Sequence, residues 1–207
     1  IEVRNENPEM KERFKVLLTS AGDPMPWGKV VEENDLIWMH VFPSVQAAKR
    51  CKKAGVKVLI ASGHEGGFHT AWKPVHTMTL LPDVIDKCQD ENTLVCGTGG
   101  FCDGRSIAAA FALGADGVQM GTRFLATEES DFAPLWKQMV VDAEDGGTLV
   151  ARGFVGPARW LRTPVSQQHA MNTVKNAPGT YVGEPDDYRT IPMWLIAKEL
   201  EGIESTR

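Results

Sequence analysis

The sequence predicts an α/β fold built on a parallel sheet, and three features carry that reading. Short β-branched runs recur along the chain, helical stretches separate them, and glycines collect where the runs end. Phe14 to Ser20 (FKVLLTS), Leu36 to Phe42 (LIWMHVF), Val56 to Ser62 (VKVLIAS), Thr93 to Gly97 (TLVCG) and Gly117 to Gly121 (GVQMG) are short and largely apolar, as strands covered on both faces should be. Ser44 to Ala54 (SVQAAKRCKKA) reads as a helix. Ser44 caps its start, Val45, Ala48 and Cys51 share one side with lysines opposite, and Gly55 closes it. Arg105 to Leu113 (RSIAAAFAL) is alanine-rich, follows Asp103-Gly104 and stops at Gly114. Such alternation implies right-handed crossovers between parallel strands, in either a doubly wound sheet or a (β/α)8 barrel. From Asp131 to Arg207 the pattern loosens, and a closing helix followed by a tail over one end of the sheet is expected.

Composition limits the partners. With 207 residues and 43% hydrophobic content the chain can bury a sizeable core, in one domain or at most two. A net charge of −5 and a pI near 5.6 argue against nucleic acid or an anionic membrane surface as main partner, which leaves a small molecule. No run reaches the ~18 apolar residues of a membrane span, and no signal-peptide pattern opens the chain. Cys51, Cys88, Cys96 and Cys102 form no CxxC pair, in a chain large enough to do without disulfides. Reduced thiols and a cytoplasmic setting are the expectation.

Two glycine-bearing turns hold the strongest chemistry. "CGTGGFCDGRSIAAA" runs from a strand through Gly97, Gly99 and Gly100 to a helix start, where free N–H groups and the helix dipole make an anion site. "GVQMGTRF" supplies the second turn, and two successive turns of this kind match the phosphate site that barrels build after their last strands. A dinucleotide fingerprint GxGxxG is a rival reading, but Cys102 stands where its third glycine belongs. Tight turns without a ligand are the plainer alternative. "HEGGF" at 64 to 68 begins like the zinc motif HExxH, but Phe68 replaces the second histidine and two glycines weaken the helix that motif requires, so no metal is expected. His64, Glu65, His69 and His76 instead follow a strand, where α/β folds place catalytic groups. A solvated loop would account for any one of these histidines, and their clustering counts against it.

"FPSVQAAKRCKKAGVKVLIASGHEGGFH", "TMTLLPDVID", "GTGGFCDGRSIAAAFALGADGVQMGTRFLATEES" and "WKQMVVDA" resemble the 2-nitropropane dioxygenase family, which comprises nitronate monooxygenases and flavin-dependent enoyl-acyl-carrier-protein reductases. The likeness covers roughly residues 14 to 143 and is most specific in GGFCDGRS and QMGTRFLATEES. Family members are FMN-binding (β/α)8 barrels. The resemblance places FMN on Gly63, Gly100, Gln119, Met120, Gly121 and Thr122, with Gly99 in the same glycine turn. It gives the catalytic role to His69, which ends Gly66-Gly67-Phe68-His69 where the family has Ala-Gly-Gly-His, and it makes His40 a secondary candidate. Phe68 departs from that motif, since it replaces a glycine that lies against the flavin. The segment from Ala71 to His76 is also slightly longer than the family's loop.

A (β/α)8 barrel needs about 250 residues, so the resemblance implies its C-terminal part here, about strands 4 to 8. Residues 1–143 would be a partial FMN-binding barrel, and residues 144–207 a helical or irregular covering segment of the same domain. The raw sheet edges would favour association with a second copy or with the missing N-terminal barrel segment. The implied reaction is FMN-dependent oxidation of alkyl nitronates with O2, releasing a carbonyl compound and nitrite. The alternatives are an NAD(P)H- and FMN-dependent reduction of an enoyl thioester and a non-catalytic flavin-binding fragment.

Overall fold

The computed structural model describes residues 1–71, 73, 75–153 and 156–176. It divides into two units, Ile1–Gly63 with Val75–Gln119 and His64–Pro74 with Met120–Arg207.

In the first unit, α1 (Glu2–Glu6) and α2 (Pro8–Arg13) precede β1 (Val16–Ser20), and a 3₁₀ turn (Met25–Trp27) and α3 (Gly28–Glu33) lead to β2 (Ile37–Phe42). Then come α4 (Val45–Lys53) and β3 (Val58–Ser62), and, once the chain has passed through β4 (Phe68–His69) of the second unit, α5 (Thr77–Cys88), β5 (Leu94–Thr98), α6 (Gly104–Ala112) and β6 (Gly117–Gln119). The five runs read from the sequence are the five strands of one parallel sheet, ordered β1-β2-β3-β5-β6. That order never reverses. A doubly wound sheet changes direction at a switch point and carries helices on both faces, whereas an unreversed order puts every crossover helix on one face, as in a barrel. The packing agrees: Val31, Ala48, Cys51, Leu80, Leu81, Val84 and Ala110, from α3 to α6, share one core with Trp38, Phe42, Leu59, Ala61 and Val95 of the strands. The other face carries Val16, Leu18 and Ile37, which are 43%, 50% and 50% exposed.

Local signals explain the helices. Ser44 caps α4 by accepting from Ala47 N at 3.2 Å, and Asp103 and Ser106 form a capping box at α6. The basic run of α4 is partly neutralised within the unit, with Arg50 paired to Asp23 and Lys52 to Asp90. Cys51 lies in the core, where burial pushes its thiol up to about 12.

The second unit corrects the expectation of a helix and a tail after residue 131. It holds α7 (Thr122–Leu125) and α8 (Pro134–Val141), and then two strands, β7 (Thr148–Arg152) and β8 (Pro157–Leu161), before α9 (Pro164–Asn176). β7 and β8 form an antiparallel hairpin, and β4 pairs on its other side to give a three-stranded sheet ordered β4-β8-β7. The remainder of the expected covering segment, residues 177–207, lies outside the described residues, as do Trp72 and Pro74 of the loop before α5.

Candidate active site

The parallel sheet delivers the chain to both glycine turns at the C-terminal end of its strands. Thr98 of β5 sits opposite Gln119 of β6, and the Thr98 hydroxyl donates to the Gln119 carbonyl at 3.0 Å. Beyond β5, Gly99 and Gly100 adopt φ of +97° and +85°, a conformation that glycine reaches without strain. Among the described residues no acceptor faces the N–H groups of Gly99, Gly100 and Phe101. Successive free N–H groups of this kind form an anion-binding concavity. The start of α6 is different from the expectation. Its end is occupied by the Asp103 carboxylate, held down to about 2 by the Ser106 N–H and by Arg105. An anion at this turn would therefore rest on the glycine N–H groups and not on the helix dipole.

At the second turn, Met120, Gly121 and Thr122 also keep their N–H groups free of described acceptors. A Cβ added to Gly121 would meet nothing within 4 Å, and its φ of −102° suits any residue. Nothing in the described protein demands glycine there, so an open approach to the backbone is the physical use that remains. Both turns fit a phosphate. Gly63 serves otherwise: its N–H donates to the Thr98 carbonyl at 3.1 Å, and its missing side chain makes room for Thr77 at the start of α5.

The histidines separate into two environments. His40 lies on the helix-covered face of β2 with Trp38 and Phe42 and is buried. Trp38 Nε1 donates to Thr19 Oγ1 at 2.7 Å, and that hydroxyl is 2.7 Å from His40 Nδ1 but 3.4 Å from the Met39 carbonyl. The contact commits His40 Nδ1 to the Thr19 hydroxyl, whichever of the two donates. Burial holds its pKa below the ordinary 6.5. His40 and Thr19 also line a cavity of about 290 Å³ with Leu17, Trp27 and Val31. His76, the residue before α5, belongs to this first unit too and is exposed.

His64, Glu65 and His69 belong to the second unit. His64 to Gly67 form a turn, not the helix a zinc motif needs, and Phe68 and His69 are the two residues of β4. Phe68 adopts φ +59°, the left-handed conformation that suits the glycine it replaces and costs another residue about 1–2 kcal/mol. Phe68 is 52% exposed, and its ring lies 4.1 Å, centroid to centroid, from that of His69. His64 Nδ1 is 3.2 Å from Thr70 Oγ1. His69 Nε2 is buried and finds no hydrogen-bond partner among the described residues. A polar atom left in that state costs about 1–3 kcal/mol, and a ligand with a complementary group would relieve it. Burial holds the His69 imidazole below its ordinary pKa of 6.5, so the ring is neutral at pH 7.

Residues that the sequence reading did not single out surround His69. Ala158 of β8 is its cross-strand neighbour. A Cβ on Gly153 would come 3.2 Å from His69 Nε2 and 2.8 Å from the Ala158 Cβ. Arg159, opposite Phe68, donates from Nη2 to the His64 carbonyl at 2.5 Å and from Nη1 to Thr148 Oγ1 at 2.8 Å. The signal for these strands was present in "TLVARGFVGPARWL", two β-rich runs joined through a loop bounded by glycines.

Comparison with known proteins adds the family. A family model described as nitronate monooxygenase matches residues 7–199. The (3aS,4S,5R,7aS)-5-hydroxy-7a-methyl-1-oxo-octahydro-1H-indene-4-carboxyl-CoA dehydrogenase of Mycobacterium tuberculosis is 42% identical over 132 residues, which cover 62% of this chain and 37% of that protein. FabK from Thermotoga maritima superposes with a TM-score of 0.74 at 36% identity, over 82% of this chain and 53% of that one. Nitroalkane oxidase from Streptomyces ansochromogenes does so with a TM-score of 0.69 at 25% identity, over 87% and 53%. The chain thus spans 37% of the curated relative and about half of each solved one.

Proposed function

The chain belongs to the nitronate monooxygenase family, and on that premise we propose that it carries the FMN-phosphate and acid–base part of an enzyme that oxidises alkyl nitronates with O2 to a carbonyl compound and nitrite. Bound FMN would supply the electron-accepting ring. Gly99 and Gly100 of the first unit, and Met120, Gly121 and Thr122 of the second, each offer backbone N–H groups to its phosphate, the second turn adding the Thr122 hydroxyl, while Gly63 follows β3 and Gln119 ends β6. The observation that carries the reading is His69, a neutral imidazole with a buried nitrogen left unpartnered among the described residues. A neutral ring offers one N–H and one lone pair. Its N–H can donate to a nitronate oxygen, and its lone pair can take the α-proton of a neutral nitroalkane. His40 has its Nδ1 committed to Thr19, and we assign it to packing the β1–β2 seam instead of to the reaction.

A second reading is favoured by one observation. The CoA-thioester dehydrogenase is 42% identical to this chain, against 25% for the nitroalkane oxidase. On that reading the substrate is an acyl thioester, and His69 donates to its carbonyl oxygen as negative charge develops there. Anaerobic mixing of the complete, flavin-loaded protein separates the two. Propyl-2-nitronate alone is expected to bleach the flavin absorbance, and air to restore it. Bleaching by NAD(P)H or an acyl-CoA, with none by nitronate, would move the assignment to the thioester class.

The cofactor assignment has its own test. Gly121→Asp places a carboxylate in open space, so the fold should survive, but that carboxylate repels a phosphate dianion approaching the same N–H groups. The purified variant should carry little or no flavin while keeping the parent's circular dichroism. Flavin content equal to the parent's would place the phosphate elsewhere.

A further inference from the structure

The segment that carries His69 is strained at Phe68 and contains only a two-residue strand. Strain of this kind persists where the surroundings over-determine the backbone. At the far end of the segment, the N–H of Thr70 donates to the Pro157 carbonyl at 2.9 Å, and β4 pairs with β8 through Phe68 and His69. At the near end, the Arg159 guanidinium reaches the His64 carbonyl at 2.5 Å while its other branch holds Thr148 Oγ1 on β7 at 2.8 Å. Arg159 is half-buried, its Nε is buried with no partner among the described residues, and the Glu65 carboxylate acts on it across space. Burial disfavours the charged guanidinium there and Glu65 only partly offsets that cost, while the planar fork supplies what a lysine cannot, two donors fixed in direction.

We propose that Arg159 is a positioning residue for the reaction. Its fork ties the main chain at His64 to the β7–β8 hairpin, so that the segment is held at both ends and the His69 imidazole keeps one orientation. The proposal rests on His69 being the acid–base group of the reaction proposed above, and it goes beyond that reading by assigning a role to a strand outside both glycine turns and the histidine loop.

The test combines amide exchange with a mutant cycle. In the flavin-free protein, Arg159→Ala should speed exchange of the amides of residues 64–70 about tenfold and leave those of β1 to β3 unchanged. In the flavin-loaded protein it should slow anaerobic bleaching by saturating propyl-2-nitronate about tenfold, with Arg159→Lys between it and the parent. In a His69→Ala background the same substitution should slow bleaching no further, because residues acting through one another do not add. Thr148→Val, which releases the other branch of the fork, should shift the same amides by less, and it serves as the test if Arg159→Ala does not fold. Unchanged exchange at residues 64–70, or equal slowing with and without His69, would overturn the proposal. If His69→Ala itself bleaches as fast as the parent, the reading of His69 has failed, and exchange alone decides whether Arg159 clamps the segment.

Discussion

Gly63→Ala is expected to lower stability by about 3 kcal/mol or more, the upper range for forcing an atom into a packed interior. Gly63 directly follows β3, and its N–H is committed to the Thr98 carbonyl of β5, so the backbone cannot turn away. A Cβ there would fall inside Thr77, 2.5 Å from its Cα and closer still to its N and Oγ1. Thr77 cannot yield easily. Its hydroxyl donates to the Gly99 carbonyl at 2.9 Å, and it begins the helix that buries Leu80, Leu81, Val84 and Cys88 against the sheet. Relief therefore requires α5 to retreat as a body from β3 and β5. Urea unfolding measures the effect, with Gly121→Ala as the control: its Cβ enters open space, and its unfolding free energy should stay within about 0.5 kcal/mol of the parent's. A Gly63→Ala variant that unfolds at the parent's midpoint would show that Thr77 leaves room for a side chain at this position.

This glycine marks where the sequence was legible and where it was not. Its position after a strand could be read from "LIASG", because hydrophobic periodicity is a local property. What Gly63 makes room for lies fourteen residues on, across a loop, and no local pattern encodes that meeting. The five parallel strands were visible for the same local reason, whereas their unreversed order, which selects the barrel, is a long-range property. The face on which His40 lies could have been predicted. In "WMHVF" the side chains of Trp38, His40 and Phe42 fall on one face of a strand, and two large aromatic neighbours point to the helix-packed side. The hairpin at 148–161 was legible too, in the two β-rich runs of "TLVARGFVGPARWL", where the loosened pattern after residue 131 predicts a helix and a tail instead. Arg159 was not. An arginine in an alternating strand usually reads as a solvated residue, and only the pairing of β8 with a two-residue strand ninety residues earlier puts it over the histidine loop.

His69→Ala should slow nitronate-driven bleaching about 10²-fold, the usual loss when a positioned acid–base group is removed, or about 2.7 kcal/mol of barrier. The size follows from the state of the ring. Burial lowers its pKa below 6.5, so at pH 7 it is neutral and keeps its lone pair. Acid should therefore slow the parent only as the pH falls through that lowered value, and the acid limb should vanish in His69→Gln, which cannot titrate. Stability carries the same sign: as the pH drops below 6.5 the unfolded ring takes up a proton before the folded one does, so the folded state loses the ring's contribution. His64→Ala should matter less, since His64 Nδ1 faces Thr70 Oγ1, and Arg159 holds His64 through its carbonyl, which the substitution keeps. Rate and pH profile in the flavin-loaded protein decide the matter. A His69→Ala variant as fast as the parent, with its acid limb intact, would make His69 a strand residue of β4 and nothing more.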